Sequence, residues 1–128
     1  VLVDDSIVRG TTSTKIVAMV RNAGASEVHM RVASPPTTHS CFYGVDTPER
    51  SQLLAAQNNL EAMARIIGVD SLEFLSLDGL YRAVSSVRRD AAQPQFCDAC
   101  FTGDYPTLLE DFGRGGSSDQ LSLMLEER

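Results

Sequence analysis

The spacing of apolar and polar positions over the first 33 residues predicts a strand, a helix and a second strand. Residues 1–3 (VLV) form a continuous apolar run, which is typical of a strand buried in a parallel sheet. Residues 12–23 place apolar side chains on one helical face, and residues 27–33 (EVHMRVA) are typical of a strand. Short joints between these segments predict a βαβ unit with a right-handed crossover.

Single residues mark the ends of the predicted first helix. Thr11, Thr12 or Ser13 can cap its N-terminus through a side-chain oxygen. Gly24 follows its last apolar position, where a left-handed turn commonly ends a helix. The helix is therefore predicted to begin directly after a loop of small residues.

Two further helix starts are predicted after residue 46. Thr47 precedes Pro48, and proline is well tolerated at the first helical position. Asn58, with Glu61 three residues on, forms a capping box for a helix that ends at Gly68. The remaining predictions are a strand at residues 72–75, a helix capped by Ser76 at residues 77–88, a turn-rich segment at residues 91–107, a flexible stretch at residues 113–119 and a weakly amphipathic end at residues 121–125.

These elements predict an α/β segment followed by an extension. Residues 1–46 form the βαβ segment, residues 47–112 form a helical and cysteine-bearing segment, and residues 113–128 form a tail predicted to be flexible. A chain of 128 residues can enclose a single hydrophobic core.

Charge and hydropathy exclude several classes of function. The formal net charge of −6 lacks the basic surface that general nucleic-acid binding requires. No apolar run approaches the roughly 18–20 residues of a membrane span. The sequence shows no signal peptide and no initiator methionine. We therefore expect a cytoplasmic protein, or a piece of one, with neither nucleic-acid nor membrane partners.

The first candidate site lies at the end of the first strand. Asp4 and Asp5 come directly after the apolar run, and two carboxylates there suit a ribose diol or a hydrated Mg²⁺. Residues 9–13 (RGTTS) precede a helix, where backbone N–H groups and hydroxyls can bind a phosphate. Gly10 permits a close backbone approach. An acidic turn that merely caps the helix is the alternative interpretation.

The second candidate site involves the three cysteines. An odd number of cysteines argues against a secreted disulfide scaffold. Cys97 and Cys100 have the C-x-x-C spacing, which zinc sites, redox pairs and plain packing all use. Cys41 is distant in sequence and joins them only if the fold brings it there; alone it is typical of a buried apolar residue.

The order of these features resembles the PRPP-binding motif of type I phosphoribosyltransferases, in which apolar residues, two acids and a loop of small and hydroxyl residues follow one another. VLVDDSIVRGTTS (residues 1–13) is similar, more narrowly, to the amidophosphoribosyltransferase family. SPPTTHSCFYGVDTP (residues 34–48) is similar to the family segment with one cluster cysteine. CDACFTGDYPT (residues 97–107) is similar to the C-terminal segment with two more in the iron–sulfur branch. The resemblance covers about residues 1–112 in the same order.

The resemblance implies part of a type I phosphoribosyltransferase fold, a parallel sheet flanked by helices, with a C-terminal helical and cysteine-bearing extension. The family is a glycosyltransferase that transfers glutamine-derived ammonia to PRPP and gives 5-phosphoribosylamine, the first step of de novo purine biosynthesis. The resemblance also implies that the chain is a C-terminal piece that lacks the glutaminase domain and the first half of the phosphoribosyltransferase domain. We expect such a piece to be inactive alone and to contain no catalytic residue.

Residue by residue, the resemblance implies three groups of ligands. PRPP is bound by Asp4, Asp5, Ser6, Arg9, Gly10, Thr11, Thr12 and Ser13. Asp4 and Asp5 also hold Mg²⁺. Three of the four ligands of a [4Fe–4S] cluster, with a structural or oxygen-sensing role, are Cys41, Cys97 and Cys100.

The resemblance further implies several partners. These are PRPP, purine nucleotides as feedback inhibitors, the missing N-terminal halves and a second copy of the chain in a homo-oligomer.

A non-catalytic PRPP- or nucleotide-sensing module is the alternative function, and a metal or redox protein that uses the C-x-x-C pair is a weaker one. Structural roles are expected for His29 and His39. Arg88 and Arg89 are interpreted as a solvated helix end, with an anion contact as the alternative.

Overall fold

A computed structural model describes residues 1–85 and 88–107, and within them three parallel strands form one sheet. The strands are β1 (Leu2–Asp4), β2 (His29–Val32) and β3 (Ser71–Phe74), and β2 lies in the middle. The predicted α/β class and the βαβ unit are therefore confirmed, with strand ends displaced by one or two residues from those expected.

The helices connect and flank these strands. They are α1 (Thr11–Asn22), α2 (Leu54–Gln57), α3 (Leu60–Ile67), α4 (Leu77–Ser85) and α5 (Ala99–Thr102), with a 3-10 turn at Arg50–Gln52. Each strand pairs with its neighbour in sequence, so two right-handed crossovers would place α1 and α3 on the same face of the sheet. In agreement, α1 contacts α3 and α3 contacts β3.

The hydrophobic core lies between this helical layer and one face of the sheet. Val17 of α1, Met63 and Ile67 of α3, Met30 of β2 and Leu72 of β3 are all at most 3% exposed. Their strand positions alternate with exposed residues, as the two-residue period of a strand requires.

The other face of the sheet is open within the described residues. Val3, Arg31 and Glu73 are paired in register across β1, β2 and β3, and all three side chains are exposed. Parallel sheets are ordinarily covered on both faces. This row, Val3–Arg31–Glu73, is named the open face below.

The prediction that a helix begins at Thr47 and Pro48 is wrong. The Oγ1 atom of Thr47 accepts a hydrogen bond from the backbone N–H of Cys41 at 2.6 Å, and the carbonyl of Pro48 accepts one from the Ser40 hydroxyl at 2.8 Å. These bonds hold an irregular loop, because polar side chains near the backbone compete with helix formation. The first α-helix after this loop begins only at Leu54.

The start predicted at Asn58 is displaced by one residue. Asn59 caps α3, and its side chain accepts a hydrogen bond from the backbone N–H of Ala62 at 2.9 Å. Asn58 instead closes α2, since its amide donates to the carbonyl of Leu54 at 3.0 Å. The predicted end of this helix at Gly68 is confirmed by a left-handed residue with a φ of 86°.

Side-chain capping of α1 by Thr11, Thr12 or Ser13 is also wrong. Gly10 occupies the capping position with a φ of 78°, and no side chain among the described residues caps the helix. The left-handed turn expected at Gly24 is confirmed by its φ of 102°.

The later part of the chain contains one element that the pattern did not indicate. Ser76 accepts a hydrogen bond from the backbone N–H of Gly79 at 3.0 Å, as the predicted cap of α4 requires. The turn-rich segment at 91–107 contains the short helix α5, which was not expected. The flexible stretch and amphipathic end predicted at 113–125 lie outside the described residues, and the three-part division of the chain stays a prediction.

No helix in the described ranges 1–85 and 88–107 has the length and apolar character needed to cross a membrane.

Candidate functional site

A cleft of about 430 Å³ opens at the carboxyl end of β1. Ligand sites of open α/β sheets ordinarily lie at this edge. The cleft brings together all eight residues predicted to bind PRPP, together with residues from the loop after β2. Its lining is Asp4, Asp5, Ser6, Val8, Arg9, Gly10, Thr11, Thr12, Ser13, Asp46 and Pro48.

The two carboxylates at the cleft are held by local hydrogen bonds. Asp4 Oδ1 accepts from the backbone N–H of Asp5 at 3.0 Å, and Asp5 Oδ1 accepts from the hydroxyl of Ser6 at 2.8 Å. Asp4 is half-buried and Asp5 is exposed. Because an ionised carboxylate offers about four acceptor positions, both groups can also accept hydroxyls or a cation.

The N-terminus of α1 forms the opposite part of the cleft. Backbone N–H groups of a helix's first turn lack partners inside the helix, and the helix dipole makes this end partly positive. Since Gly10 provides no side-chain oxygen, these donors remain directed toward the cleft. Thr11, Thr12 and Arg9 are exposed beside them, whereas Ser13 is buried at 3% exposure. The arrangement is suited to a phosphate.

Packing from behind explains why a glycine stands at position 10. A Cβ atom on Gly10 would lie 2.7 Å from Leu54 Cδ2. The backbone N–H of Leu54 donates to the carbonyl of Val8 at 2.8 Å, which attaches α2 to the loop. The short helix α2 therefore supports the loop from the side away from the cleft.

Apart from Val8, the cleft residues that sequence reasoning missed are Asp46 and Pro48. Both lie in the loop between β2 and the 3-10 turn, more than thirty residues after the acid pair. No local spacing links them to residues 4–13. Their placement depends on the hydrogen bonds of Ser40 and Cys41 that shape this loop.

The structure brings Cys100 beside the loop that carries Cys41. The two thiols lie close enough for each to shift the pKa of the other. The carbonyl of Cys100 accepts from the backbone N–H groups of Thr38 and His39 at 2.9 and 3.0 Å, which joins the loop after β2 to α5. All three cysteines of the chain are free thiols.

The thiols of Cys41 and Cys100 have opposite electrostatic surroundings. The backbone N–H groups of Tyr43 and Val45 lower the pKa of Cys41, and Tyr43 donates to its Sγ at 3.4 Å. Burial raises the pKa of Cys100, and the nearby Cys41 and Cys97 raise it further. Within residues 1–85 and 88–107, no three His, Cys, Asp or Glu side chains lie close enough to hold a metal ion.

Arg89 is a largely buried anion contact, so its interpretation as a solvated helix end is wrong. Its guanidinium binds the Asp98 carboxylate through Nε at 2.5 Å and reaches Asp104 through Nη2 at 2.7 Å. Asp98 is 4% exposed and also accepts from the Tyr81 hydroxyl at 2.8 Å. Burial acts to raise the pKa of Asp98, but the bonds from Arg89 and Tyr81 hold it below its usual value. Arg88, by contrast, is exposed.

The two histidines contact polar neighbours. His29 lies between Ser71, at 2.9 Å from Nδ1, and Glu27, at 3.2 Å from Nε2. His39 Nδ1 lies 2.9 Å from the Thr38 hydroxyl. Burial lowers the pKa of His39. Structural roles for both stay predictions.

Comparison with known proteins shows which enzymes the chain is similar to. No family model matches the chain. The chain is 59% identical to an amidophosphoribosyltransferase of Rhizobium etli over 97% of its length, and 51% identical to that of Bacillus subtilis over 85%. The chain is highly similar to amidophosphoribosyltransferases. It covers 25% and 23% of those two proteins, so it spans about a quarter of the length of the curated relatives it matches.

Solved structures agree with this similarity to amidophosphoribosyltransferases. The glutamine PRPP amidotransferase of Bacillus subtilis, complexed with ADP and GMP, matches 86% of the chain with a TM-score of 0.77 and 48% identity. A structure described as the allosteric regulatory enzyme of purine biosynthesis matches 86% with a TM-score of 0.75 and 47% identity. The chain covers 24% and 23% of these structures. The resemblance to amidophosphoribosyltransferases and the type I phosphoribosyltransferase fold are thereby confirmed.

Proposed function

We propose that this chain supplies the PRPP-binding part of an amidophosphoribosyltransferase. The whole protein would transfer glutamine-derived ammonia to PRPP and give 5-phosphoribosylamine, the first step of de novo purine biosynthesis. The observation that carries the proposal is one cleft that combines the carboxylates of Asp4 and Asp5 with the uncapped N-terminus of α1. The identity of 59% to an amidophosphoribosyltransferase supports it.

The cleft suits a sugar phosphate because its two ends differ in charge. The 5-phosphate of PRPP would accept hydrogen bonds from the N–H groups at the start of α1 and from the hydroxyls of Thr11, Thr12 and Ser13. The ribose hydroxyls would donate to Asp4 and Asp5, which line the same cleft. Both ends then fix the orientation of C1, where ammonia displaces pyrophosphate. Such positioning lowers the entropic part of the barrier.

Magnesium fits the same cleft by the chemistry of its donors. Mg²⁺ is ordinarily bound through one or two carboxylates, with the phosphates of the substrate and water completing its shell. Asp4 and Asp5 provide two carboxylates at the cleft. When bound, the ion neutralises charge on the pyrophosphate leaving group. Asp4 and Asp5 would hold it, and the Ser6 hydroxyl orients the Asp5 carboxylate.

A [4Fe–4S] cluster with Cys41, Cys97 and Cys100 as ligands is part of the same proposal. Thiolates are the usual ligands of such clusters, and hydrogen bonds to the sulfurs tune them. Cys41 and Cys100 lie near each other, and the N–H groups at Cys41 Sγ favour its thiolate. A cluster is larger than a single ion, so its ligands stand farther apart than one ion requires. The donor set therefore fits in its chemistry, with a fourth ligand needed beyond the three cysteines of the chain.

The proposed partners follow from the family. We propose purine nucleotides as feedback inhibitors, the remaining parts of the enzyme as covalent neighbours, and a homo-oligomer in the cytoplasm. The Bacillus subtilis relative was solved with ADP and GMP, which supports the nucleotide part. A chain that spans a quarter of its relatives is expected to be inactive alone.

Isothermal titration of the chain with PRPP and Mg²⁺ tests the proposed binding site. The test variant is Asp4→Asn/Asp5→Asn. The control variant, Glu61→Gln/Asp78→Asn, removes the same two charges from exposed helical positions outside the cleft. We expect saturable binding by the chain and the control variant, and none by the test variant. Absence of binding by the unmodified chain, or binding retained by Asp4→Asn/Asp5→Asn, would contradict the proposal.

A further inference from the structure

A largely buried ion pair lies at the start of α5, two residues before Cys100. Arg89 is 13% exposed at its side chain and Asp98 is 4% exposed, and the guanidinium makes two bonds to the carboxylate, from Nε at 2.5 Å and from Nη2 at 3.2 Å. Asp104, on the other side of α5, accepts a third bond from Arg89. Two parallel hydrogen bonds between a guanidinium and a carboxylate restrict both side chains in position and orientation.

Asp98 transmits this restriction to α5. It is the residue before the helix, and its carbonyl accepts from the backbone N–H groups of Phe101 and Thr102 at 2.9 and 3.1 Å. Its carboxylate also accepts from the hydroxyl of Thr102 at 3.2 Å. The start and end of the helix that carries Cys100 are therefore bonded to one residue, which Arg89 holds.

A second set of contacts ties this unit to the rest of the fold. The buried Tyr81 of α4 donates to Asp98 at 2.8 Å. On the opposite side, the carbonyl of Cys100 accepts from the backbone N–H groups of Thr38 and His39, which places Cys100 beside the loop that carries Cys41. The distance between the Cys41 and Cys100 thiols thus depends on how α5 is placed between α4 on one side and the loop at residues 38–41 on the other.

We propose that Arg89 is a positioning residue that holds α5 so that Cys100 stays within reach of Cys41. With Arg89 in place, the thiols of Cys41 and Cys100 can bind one thiophilic group together. Without it, α5 shifts against α4 and the thiols separate. This inference concerns the thiols alone and does not depend on PRPP binding.

The test measures whether one small probe can bridge the two thiols. In a Cys97→Ser background, only Cys41 and Cys100 remain, and phenylarsine oxide can bridge them only in the folded chain. Arsenic forms two As–S bonds, its oxygen leaves as water with the two thiol protons, and no electrons are transferred. Competition between the arsenical and Ellman's reagent gives the affinity. We expect tight binding of one equivalent, with no thiol left to react.

Three substitutions at neighbouring arginines separate position from charge. Arg89→Gln is expected to weaken arsenical binding by about tenfold or more, because small displacements of a preorganised pair are costly. Arg89→Lys retains the positive charge but cannot make the two parallel hydrogen bonds to Asp98, and we expect an intermediate affinity for the arsenical. Arg88→Gln removes the same charge at the adjacent exposed position and is expected to leave the affinity within about twofold.

Stability is controlled separately, since Arg89→Gln leaves the buried Asp98 without its cation. The thermal unfolding of each variant is first followed by circular dichroism. If Arg89→Gln does not fold, the arsenical affinity of Arg89→Lys tests the proposal instead. Asn59→Ala removes the side-chain cap of α3, which is distant in sequence from α5. It provides a destabilised variant in which the contacts of α5 are intact. It is expected to bind the arsenical normally. The proposal is overturned if the background chain binds no arsenical, if a folded Arg89 variant binds as tightly as its parent, or if Asn59→Ala weakens binding equally.

Discussion

At the scale of the residue, Gly10 satisfies two requirements at one position. Its φ of 78° lies in the left-handed region, and a Cβ atom there would lie 2.7 Å from Leu54 Cδ2, so that the Leu54 side chain would have to shift. We predict that Gly10→Ala lowers the free energy of unfolding by roughly 1–3 kcal/mol, measured by urea denaturation.

Gly24→Ala is the matched control for this prediction. Gly24 also has a positive φ, of 102°, but a Cβ atom added there would have no neighbour within 4 Å. The variant should therefore lose only the backbone strain, about 1–2 kcal/mol. Equal losses for the two variants would show that Leu54 adjusts freely and that the contact with α2 does not restrict the loop.

Residue identity also shows what the sequence alone could reveal about the site. Asp4, Asp5 and the loop after them are adjacent in sequence, so their order indicated the place where the structure has a cleft, while PRPP binding there stays a prediction. Asp46 enters the cleft and Arg89 reaches Asp98 only through tertiary contacts. Such contacts leave no local spacing to recognise.

At the scale of the element, Asp70 joins a helix to a strand. Its Oδ2 accepts from the backbone N–H of Val28, just before β2, and from Arg21 of α1, both at 2.7 Å. The bond from Val28, followed by that from Arg21, lowers the pKa of Asp70. Because the pKa is lower in the folded chain, this carboxylate stabilises the fold above the unfolded pKa, and the contribution is lost as the pH falls through the folded value.

We therefore predict that the stability difference between the chain and Asp70→Asn depends on pH. It should be constant from pH 7 to about pH 5, should shrink below about pH 4, where the carboxyl of the unfolded chain becomes protonated first, and should be lost below the lower pKa of the folded chain. Urea denaturation at several pH values measures this difference. Glu73→Gln, on the open face, serves as the control. A difference that grows with acidification would contradict the assigned sign.

Element boundaries were predictable where one residue type decides them. Gly24 and Gly68 end their helices as expected because a left-handed residue is required there. The loop at residues 40–48 was mistaken for a helix because Thr47 and Pro48 are good starting residues locally, whereas the hydrogen bonds with Ser40 and Cys41 are set by the fold. Helix α5 was missed since its four residues are too few to show a period.

At the scale of the whole molecule, the open face and the free edge of β1 expose apolar surface. Val1 and Val3 are 86% and 76% exposed, and β1 has no strand on its outer side within the described residues. Unpaired edges and exposed apolar residues favour association. We predict that the chain self-associates with rising concentration in sedimentation velocity.

Val3→Lys is expected to raise the dissociation constant of that association roughly tenfold, because a charge on an edge strand opposes pairing. Val84→Lys, at a 62% exposed position on α4, is the control and should have little effect. Sedimentation as a single monomer at all concentrations would remove the basis for this prediction.

The sequential order of the strands has a consequence for how the chain acquires its two sites during folding. Because β1, β2 and β3 are neighbours both in sequence and in space, the sheet can grow outward from the N-terminus without inserting a later strand between earlier ones. The cleft needs only residues up to about 54, whereas the thiol pair must close a loop between residues 41 and 100. Loop closure over longer distances is slower. The phosphate cleft should therefore be formed first and the cysteine pair last.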